Sequence, residues 1–397
     1  MKALENLTLA VEAKALATLR TGIGQYVAGL YGAIEKKHNK PLLHYFVKNR
    51  FIPTLPEVAE QHQTNRNQTL QANISKLLNG LDKHLAYAKK ILYTKFYTAR
   101  FNHQLKTLKA DAIHCTDFFC LQNPYAIPEF ITVYDISCFR HPETHPAARV
   151  KLFNRLLPRS LEQARHILTI SEFSKQELVN YFGLDPNKIT VTYCGLSSQF
   201  QTLPEAAITA TLKQHGLAYK RYFLYVGTLE PRKNLDLLVE AYQALPEQIK
   251  RHYPLVMIGA LGWKFESFMQ KAKVLLNNGQ LRMPGYLSEQ QLQHLLTGSL
   301  VFVYPSLYEG FGMPPLEAMA CQVPVIASDR ASLPEVIGDA GILLPADDAL
   351  AWRDAMLSLL EDPKRCQQCV QQGLQRSARF TWDACAEQTL HCFQRHI

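Results

Sequence analysis

The sequence predicts an α/β protein made of two Rossmann-like domains facing across a cleft. Three observations predict it. Short apolar runs alternate with stretches of helical period, the pattern of parallel strands joined by crossover helices. The series restarts after a break within residues 197–220, which makes two units. The 397 residues, 47% hydrophobic and 19% charged, suffice for two or three domains whose cores need no disulfide or metal staple. The same composition excludes disordered and collagen-like chains, and no apolar run is long enough to cross a bilayer.

Each element has its own signal. Leu7 to Val11 is a first strand. Thr21-Gly22-Ile23-Gly24-Gln25-Tyr26 then opens a helix whose apolar positions Ile23, Tyr26, Val27, Leu30 and Ile34 recur at helical spacing. Residues 53–110, rich in Gln, Asn, Lys and Tyr, are expected to form helices of a variable region. Ala112 to Cys115, Ile131 to Tyr134 and His166 to Ile170 are further strands. Ser174-Lys175-Gln176-Glu177 fits a capping box that starts a helix, and Ile189 to Tyr193 is the strand after it. In the second unit Tyr222 to Val226 is a continuous apolar run, as a strand covered on both faces requires. Asn234 is expected to cap a helix with an apolar face at Leu238, Ala241, Tyr242 and Leu245. Leu255 to Ile258 and Leu300 to Tyr304 are the next strands.

Nine cysteines at irregular spacing are expected to be reduced thiols, and the N-terminus carries no signal-peptide pattern, so a cytoplasmic protein is expected. Cys366-Gln367-Gln368-Cys369 has zinc-ligand spacing, but Cys385, His391 and Cys392 do not supply a matching second pair, so no metal site is expected. The charge is uneven. Residues 1–200 hold 25 basic and 15 acidic side chains against 18 and 19 in the remainder. A basic half suits an anionic partner such as a membrane surface. No RNA- or DNA-binding module is recognisable, and nucleic acid is not expected as a partner.

The chemistry concentrates in one stretch, Tyr304-Pro305-Ser306-Leu307-Tyr308-Glu309-Gly310-Phe311-Gly312-Met313-Pro314-Pro315-Leu316-Glu317-Ala318-Met319-Ala320. It is a strand end, a glycine-bearing loop, two prolines and a helix. Proline fits the first helical turn, glycine backbone can approach a ligand closely, and free N–H groups at a helix start favour an anion. Glu309 precedes the loop and Glu317 is expected in the first helical turn. Carboxylates at both places suit a sugar diol. Upstream, Gly227-Thr228-Leu229-Glu230-Pro231-Arg232-Lys233-Asn234 places two cations just past a strand end, where a diphosphate lies in this fold.

These motifs, with Pro324 to Ala327 and Leu333 to Val336, resemble retaining glycosyltransferases of family 4, which have the GT-B fold. Weaker likeness reaches Thr21 to Tyr26, Ile170 to Ser174 and Phe380 to Trp382. The resemblance implies residues 1–198 as an acceptor-binding domain, 199–379 as a nucleotide-sugar-binding domain, and 380–397 as a helix returning to the first. It implies Glu309 on the donor-sugar hydroxyls, Gly310, Phe311 and Gly312 as backbone contacts, and Glu317 on the ribose. Arg232 and Lys233, with Gly227 and Thr228 beside them, would meet the diphosphate. Pro284, Gly285, Tyr286 and Leu287 would cradle the base, and Gly22 and Gly24 would form the N-terminal glycine loop. Tyr134-Asp135 stands where many relatives carry His-Asp beside the donor sugar, so both are implied as sugar contacts. Thr228 replaces a common Arg, and Gln322 a common Gly.

The implied reaction moves a hexose, GDP-mannose being the favoured donor, to a glycan or lipid-linked saccharide with retention, by front-face substitution. Arg232, Lys233 and loop N–H groups would stabilise the leaving diphosphate, with no cofactor or metal. The alternative is a catalytically silent sugar-nucleotide-binding subunit supporting a partner transferase. A nicotinamide dehydrogenase is excluded, because Gly22 and Gly24 are followed by Val27 rather than a third glycine.

Overall fold

The computed structural model describes residues 3–17, 22–56, 83–285 and 287–397, with the backbone alone for 83–94. The chain forms two units. The first takes Met1–Ile170, Lys175–Gly195 and Trp382–Ile397; the second takes Ser171–Ser174 and Leu196–Thr381.

The first unit is built on a seven-stranded sheet. In chain order its strands are β1 (Thr8–Glu12), β2 (Leu42–Val47), β3 (Arg50–Ile52), β4 (Ala112–Cys115), β5 (Glu129–Val133), β6 (His166–Thr169) and β7 (Ile189–Val191), and their spatial order is β3-β2-β1-β4-β5-β6-β7. Strands β4, β5 and β6 are buried at every position, His114, Glu129, Thr132, His166 and Thr169 included. One pairing departs from the all-parallel expectation: β2 and β3 form an antiparallel hairpin at the edge. Its two-residue turn is Lys48-Asn49, both at positive φ (49° and 64°), the conformation whose twist matches the strands it joins.

Helix Gly22–Glu35 buries Tyr26, Val27, Leu30 and Ile34. The last helix, Trp382–His396, packs against it within the same unit: a Cβ on Gly29 would lie 2.1 Å from Trp382 Cε2, so only glycine lets the indole in. The variable region contains helix Lys83–Leu108, and residues 57–82 lie outside the described residues. Among the described residues no helix is long and apolar enough to cross a membrane.

The second unit has six parallel strands: β8 (Phe223–Val226), β9 (Leu255–Ile258), β10 (Leu281–Gly285), β11 (Val301–Tyr304), β12 (Val325–Ser328) and β13 (Ile342–Leu344). Their order is β10-β9-β8-β11-β12-β13, the doubly wound Rossmann order, and the strand order reverses between β8 and β11. In the first unit the reversal falls between β1 and β4.

Two cap expectations are corrected. The helix expected to start at a Ser174–Glu177 capping box starts earlier and spans Glu172–Phe182. Ser171, next to the end of β6, accepts the Ser174 N–H at 3.0 Å and takes the capping role. Asn234 does precede helix Leu235–Gln243, but in the left-handed conformation (φ 55°) and without a side-chain cap. Its Nδ2 instead donates to Ala346 O at 2.8 Å, tying the turn to the segment after β13.

Candidate active site

In the second unit the turn after β8 and the loop after β11 leave adjacent strand ends at the reversal point, where open α/β sheets bind ligands. The β8 turn is set by close backbone packing. Gly227 has φ 155°, and a Cβ on Gly259 would lie 2.0 Å from Gly227 O. The chain then makes a short 3-10 turn, Pro231–Lys233. The Leu307 N–H donates to Arg232 O at 2.9 Å, which joins this turn to the second loop.

Those two segments bring Arg232, Lys233 and Glu309 together. Glu309 is 9% exposed. Its Oε1 accepts from Ser306 Oγ (2.6 Å), from Tyr304 OH (3.0 Å) and from Lys233 Nζ, and its Oε2 accepts from Arg232 Nη1 at 3.1 Å. Arg232 Nη2 also donates to Glu230 Oε1 at 2.8 Å, and Lys233 Nζ donates to Tyr304 OH at 2.9 Å. Burial by itself would raise the Glu309 carboxyl, but Arg232 and Lys233 with the Lys233 and Ser306 hydrogen bonds outweigh it and hold its pKa at about 2. Glu309 is therefore an anion. Burial draws the Lys233 ammonium down from its ordinary value, and Glu309 opposes that shift. Sequence reading assigned Arg232 and Lys233 to the diphosphate and Glu309 to the sugar hydroxyls; the structure makes the three one hydrogen-bonded cluster. Tyr304, Ser306 and Glu230 complete it and had been given no role, although the first two stand five and three residues before Glu309 in the same motif.

The rest of the loop is held by its carbonyls. Ser332 Oγ lies 2.9 Å from Glu309 O and 2.8 Å from Phe311 O. Ser171 Oγ donates to Gly310 O at 2.7 Å, and Glu335 accepts the Glu172 and Phe173 N–H groups at 2.7 and 2.9 Å. Gly312 has φ 116° and precedes helix Met313–Ala320, with Pro314 in its first turn. Glu317 is the fifth residue of that helix, so it lies in the second turn and not the first, and it is 4% exposed. A carboxylate there complements the helix start less than one in the first turn would.

Other implied residues have these places. Thr228 is exposed after β8. Pro284 and Gly285 end β10, with Gly285 at φ 81°; Leu287 is partly buried against the core, and Tyr286 lies outside the described residues. Gly22, Gly24, Tyr134 and Asp135 belong to the first unit. Gly22 is exposed and opens its helix, and Gly24 is buried. Tyr134 is 6% exposed, packs edge-on against Tyr26 and Phe118, and donates its hydroxyl to Thr116 O at 2.7 Å. Asp135 Oδ1 accepts the Ser137 N–H at 2.7 Å, at the start of a short helix.

Cys366 and Cys369 sit in the second unit, whereas Cys385, His391 and Cys392 sit in the first. In the first unit, one ligand atom each of His166, Cys392 and His396 lie within 4.8 Å of one another. Burial and then His396, Lys175, Arg395 and Lys188 pull the His166 pKa down to about 4. The same cations oppose a divalent ion at that place.

Comparison with known proteins places this geometry in a family. The family model described as Glycosyl transferases group 1 matches residues 208–376, and the model described as Glycosyltransferase Family 4 matches residues 67–200. The chain is 34% identical to the O-antigen chain mannosyltransferase B of Escherichia coli over 377 residues, covering 94% of this chain and 96% of that protein. HepE of Anabaena, solved in complex with UDP, superposes with a TM-score of 0.66 at 15% identity, over 98% of this chain and 100% of its own. WaaG, a glycosyltransferase involved in lipopolysaccharide biosynthesis, does so with a TM-score of 0.68 at 12% identity, over 97% and 99%. At those identities the two structures speak to the fold alone, which is GT-B. The 34% identity across 94% of its length, with the group 1 match, shows that the chain belongs to the group 1 glycosyl transferases and is a glycosyltransferase.

Proposed function

We propose that the enzyme transfers mannose from GDP-mannose, with retention, to a saccharide acceptor of O-antigen type. The observation that carries the reading is the Glu309–Arg232–Lys233 cluster at the strand-order reversal of the second unit. The identity to an O-antigen mannosyltransferase supports the choice of sugar.

In this reading the diphosphate competes with Glu309 for Arg232 and Lys233. Three protein donors already crowd Oε1 of the carboxylate and a fourth holds Oε2. An arriving diphosphate draws the two cations away and frees Glu309 to accept sugar hydroxyls. The C1–O bond then breaks with oxocarbenium character, the cations and the loop N–H groups stabilise the leaving phosphate, and a phosphate oxygen takes the acceptor proton. No side-chain base and no metal are required. Glu317 holds the ribose, Thr228 and Gly227 flank the diphosphate, and Pro284 to Leu287 cradle the base. The basic excess of residues 1–200 supports work at the inner face of the cell membrane, with the first unit peripheral on anionic lipid.

The test is a thermal-shift panel of nucleotide sugars followed by assignment of the product anomer. A ligand at about 100 times its Kd adds roughly 2.7 kcal/mol. GDP-mannose should give the largest shift and the α-mannoside the only product. A larger shift with a uridine sugar overturns the donor, and an inverted anomer overturns the mechanism. Donor binding without turnover on any acceptor would leave the silent-subunit reading in its place.

A further inference from the structure

The first unit has its own strand-order reversal, between β1 and β4. A cavity of about 710 Å³ lies there, lined from both strand ends by Glu12, Lys14 and Asp117. Its walls combine two chemistries. Phe118, Phe119 and Phe153 give it an aromatic lining. Arg149, Arg155 and Arg159, spaced along helix Ala147–Gln163, line the same space, and among the described residues none of the three is in an ion pair.

Two buried polar atoms in the lining have no hydrogen-bond partner: Arg149 Nε, a donor, and Asn102 Oδ1, an acceptor. Leaving a buried polar group unpaired is costly, so each such atom in a native protein calls for a partner. At the strand ends Lys14 is already paired with Asp117 at 2.7 Å, and Glu12 accepts from Tyr97 OH at 3.0 Å. One ammonium against two carboxylates leaves at most one negative charge at that end, against the three arginines, so the balance of charge that faces the cavity is positive.

We propose that this cavity binds an amphiphilic phosphate, the carrier end of the saccharide acceptor. Its phosphate lies against Arg149, with Arg155 and Arg159 at the rim, its apolar arm covers the phenylalanines, and a hydroxyl donates to Asn102 Oδ1. The assignment of the occupant as acceptor rests on the transferase reading above; the binding chemistry does not.

The experiment measures binding without donor or turnover. Calorimetry on the whole protein uses three probes below their aggregation concentrations: decyl phosphate, neutral decyl maltoside and inorganic phosphate. Decyl phosphate should bind at least about tenfold tighter than either of the others. Arg149→Gln and Arg155→Gln should weaken it roughly 10- to 150-fold, the range for a hydrogen bond to a charged group. Arg155 is exposed, so its variant tests the site even if Arg149→Gln folds poorly. Equal binding of decyl maltoside shows an apolar pocket only, equal binding of inorganic phosphate shows an anion site only, and unchanged affinity in both variants places the site elsewhere; each outcome overturns the proposal. Decyl phosphate binding in a protein that transfers no sugar would leave the site standing and remove the transferase reading. Efficient transfer to a free oligosaccharide with no decyl phosphate binding would do the reverse.

Discussion

In the proposed reading Glu309 has two roles that one substitution separates. As a buried anion between Arg232 and Lys233, it holds the two loops together. Glu309→Gln leaves Lys233 without a counter-charge and Arg232 with Glu230 alone, and breaking a buried pair in this way costs about 3–5 kcal/mol. The melting temperature should fall accordingly. The folded pKa of about 2 lies below the ordinary value of 4.5, so the stabilisation is complete above about pH 4.5 and is lost as pH falls towards 2. Chemical denaturation of the wild type across that window should show a slope that the variant lacks. Kinetics at a temperature where both proteins are folded read the second role. Contact with the reacting sugar predicts that Glu309→Gln lowers kcat, whereas Glu317→Gln raises the donor KM, each by roughly 10- to 150-fold. Wild-type kcat and KM in both variants would misplace the site. The place of Glu309 between strand and helix was legible because Gly310, Gly312, Pro314 and Pro315 punctuate the stretch, although Glu317 falls one turn later than expected. The crowding of donors on Glu309 was not, because it depends on where Tyr304 and Ser306 point, which sequence spacing does not encode.

At the scale of elements, the contact between helices Gly22–Glu35 and Trp382–His396 gives a sharp test. Ala normally stabilises a helix interior over Gly by about 1 kcal/mol. Here the new methyl would meet a rigid indole at 2.1 Å, and such overpacking costs about 1–3 kcal/mol. Gly29→Ala should therefore destabilise the wild type yet stabilise a Trp382→Ala background, and urea denaturation of the double-mutant cycle reads the reversal. The last helix was expected from family likeness at Phe380 to Trp382, and it begins at Trp382. Central strands such as β8 and β9 were legible because burial on both faces writes a continuous apolar run. Strands β2, β3, β10, β12 and β13 were not named: β3 is an exposed-to-half-buried edge of three residues, and β13 is half-buried throughout. Neither carries a run or an alternation long enough to read. The Lys48-Asn49 turn lacks the glycine that usually marks such a hairpin.

For the whole molecule, the uneven charge predicts behaviour on membranes. Flotation with anionic vesicles should recover the protein at low salt and lose it as salt rises, since attraction is screened beyond about 8 Å at physiological ionic strength. Equal recovery with neutral vesicles would remove the electrostatic account. A second bulk prediction concerns metal. If Arg232, Lys233 and the loop N–H groups carry the leaving-group charge, a chelator should leave the initial transfer rate unchanged. A loss that magnesium restores would show that charge stabilisation is incomplete without an ion.

The first unit is not one stretch of chain: its final helix is separated from the rest by the whole of Leu196–Thr381. Chains are made from the N-terminus, and at about 5–20 residues per second the ribosome needs roughly 20–70 s to pass from Gly29 to Trp382. Throughout that interval the surface that receives the indole stays bare in the nascent protein, whereas the second unit, being nearly contiguous, is complete as soon as Thr381 is made. Translation speed and the supply of chaperones during synthesis thereby become determinants of yield, and a ribosome that stalls just short of codon 382 releases a product whose later-made half is the sounder one.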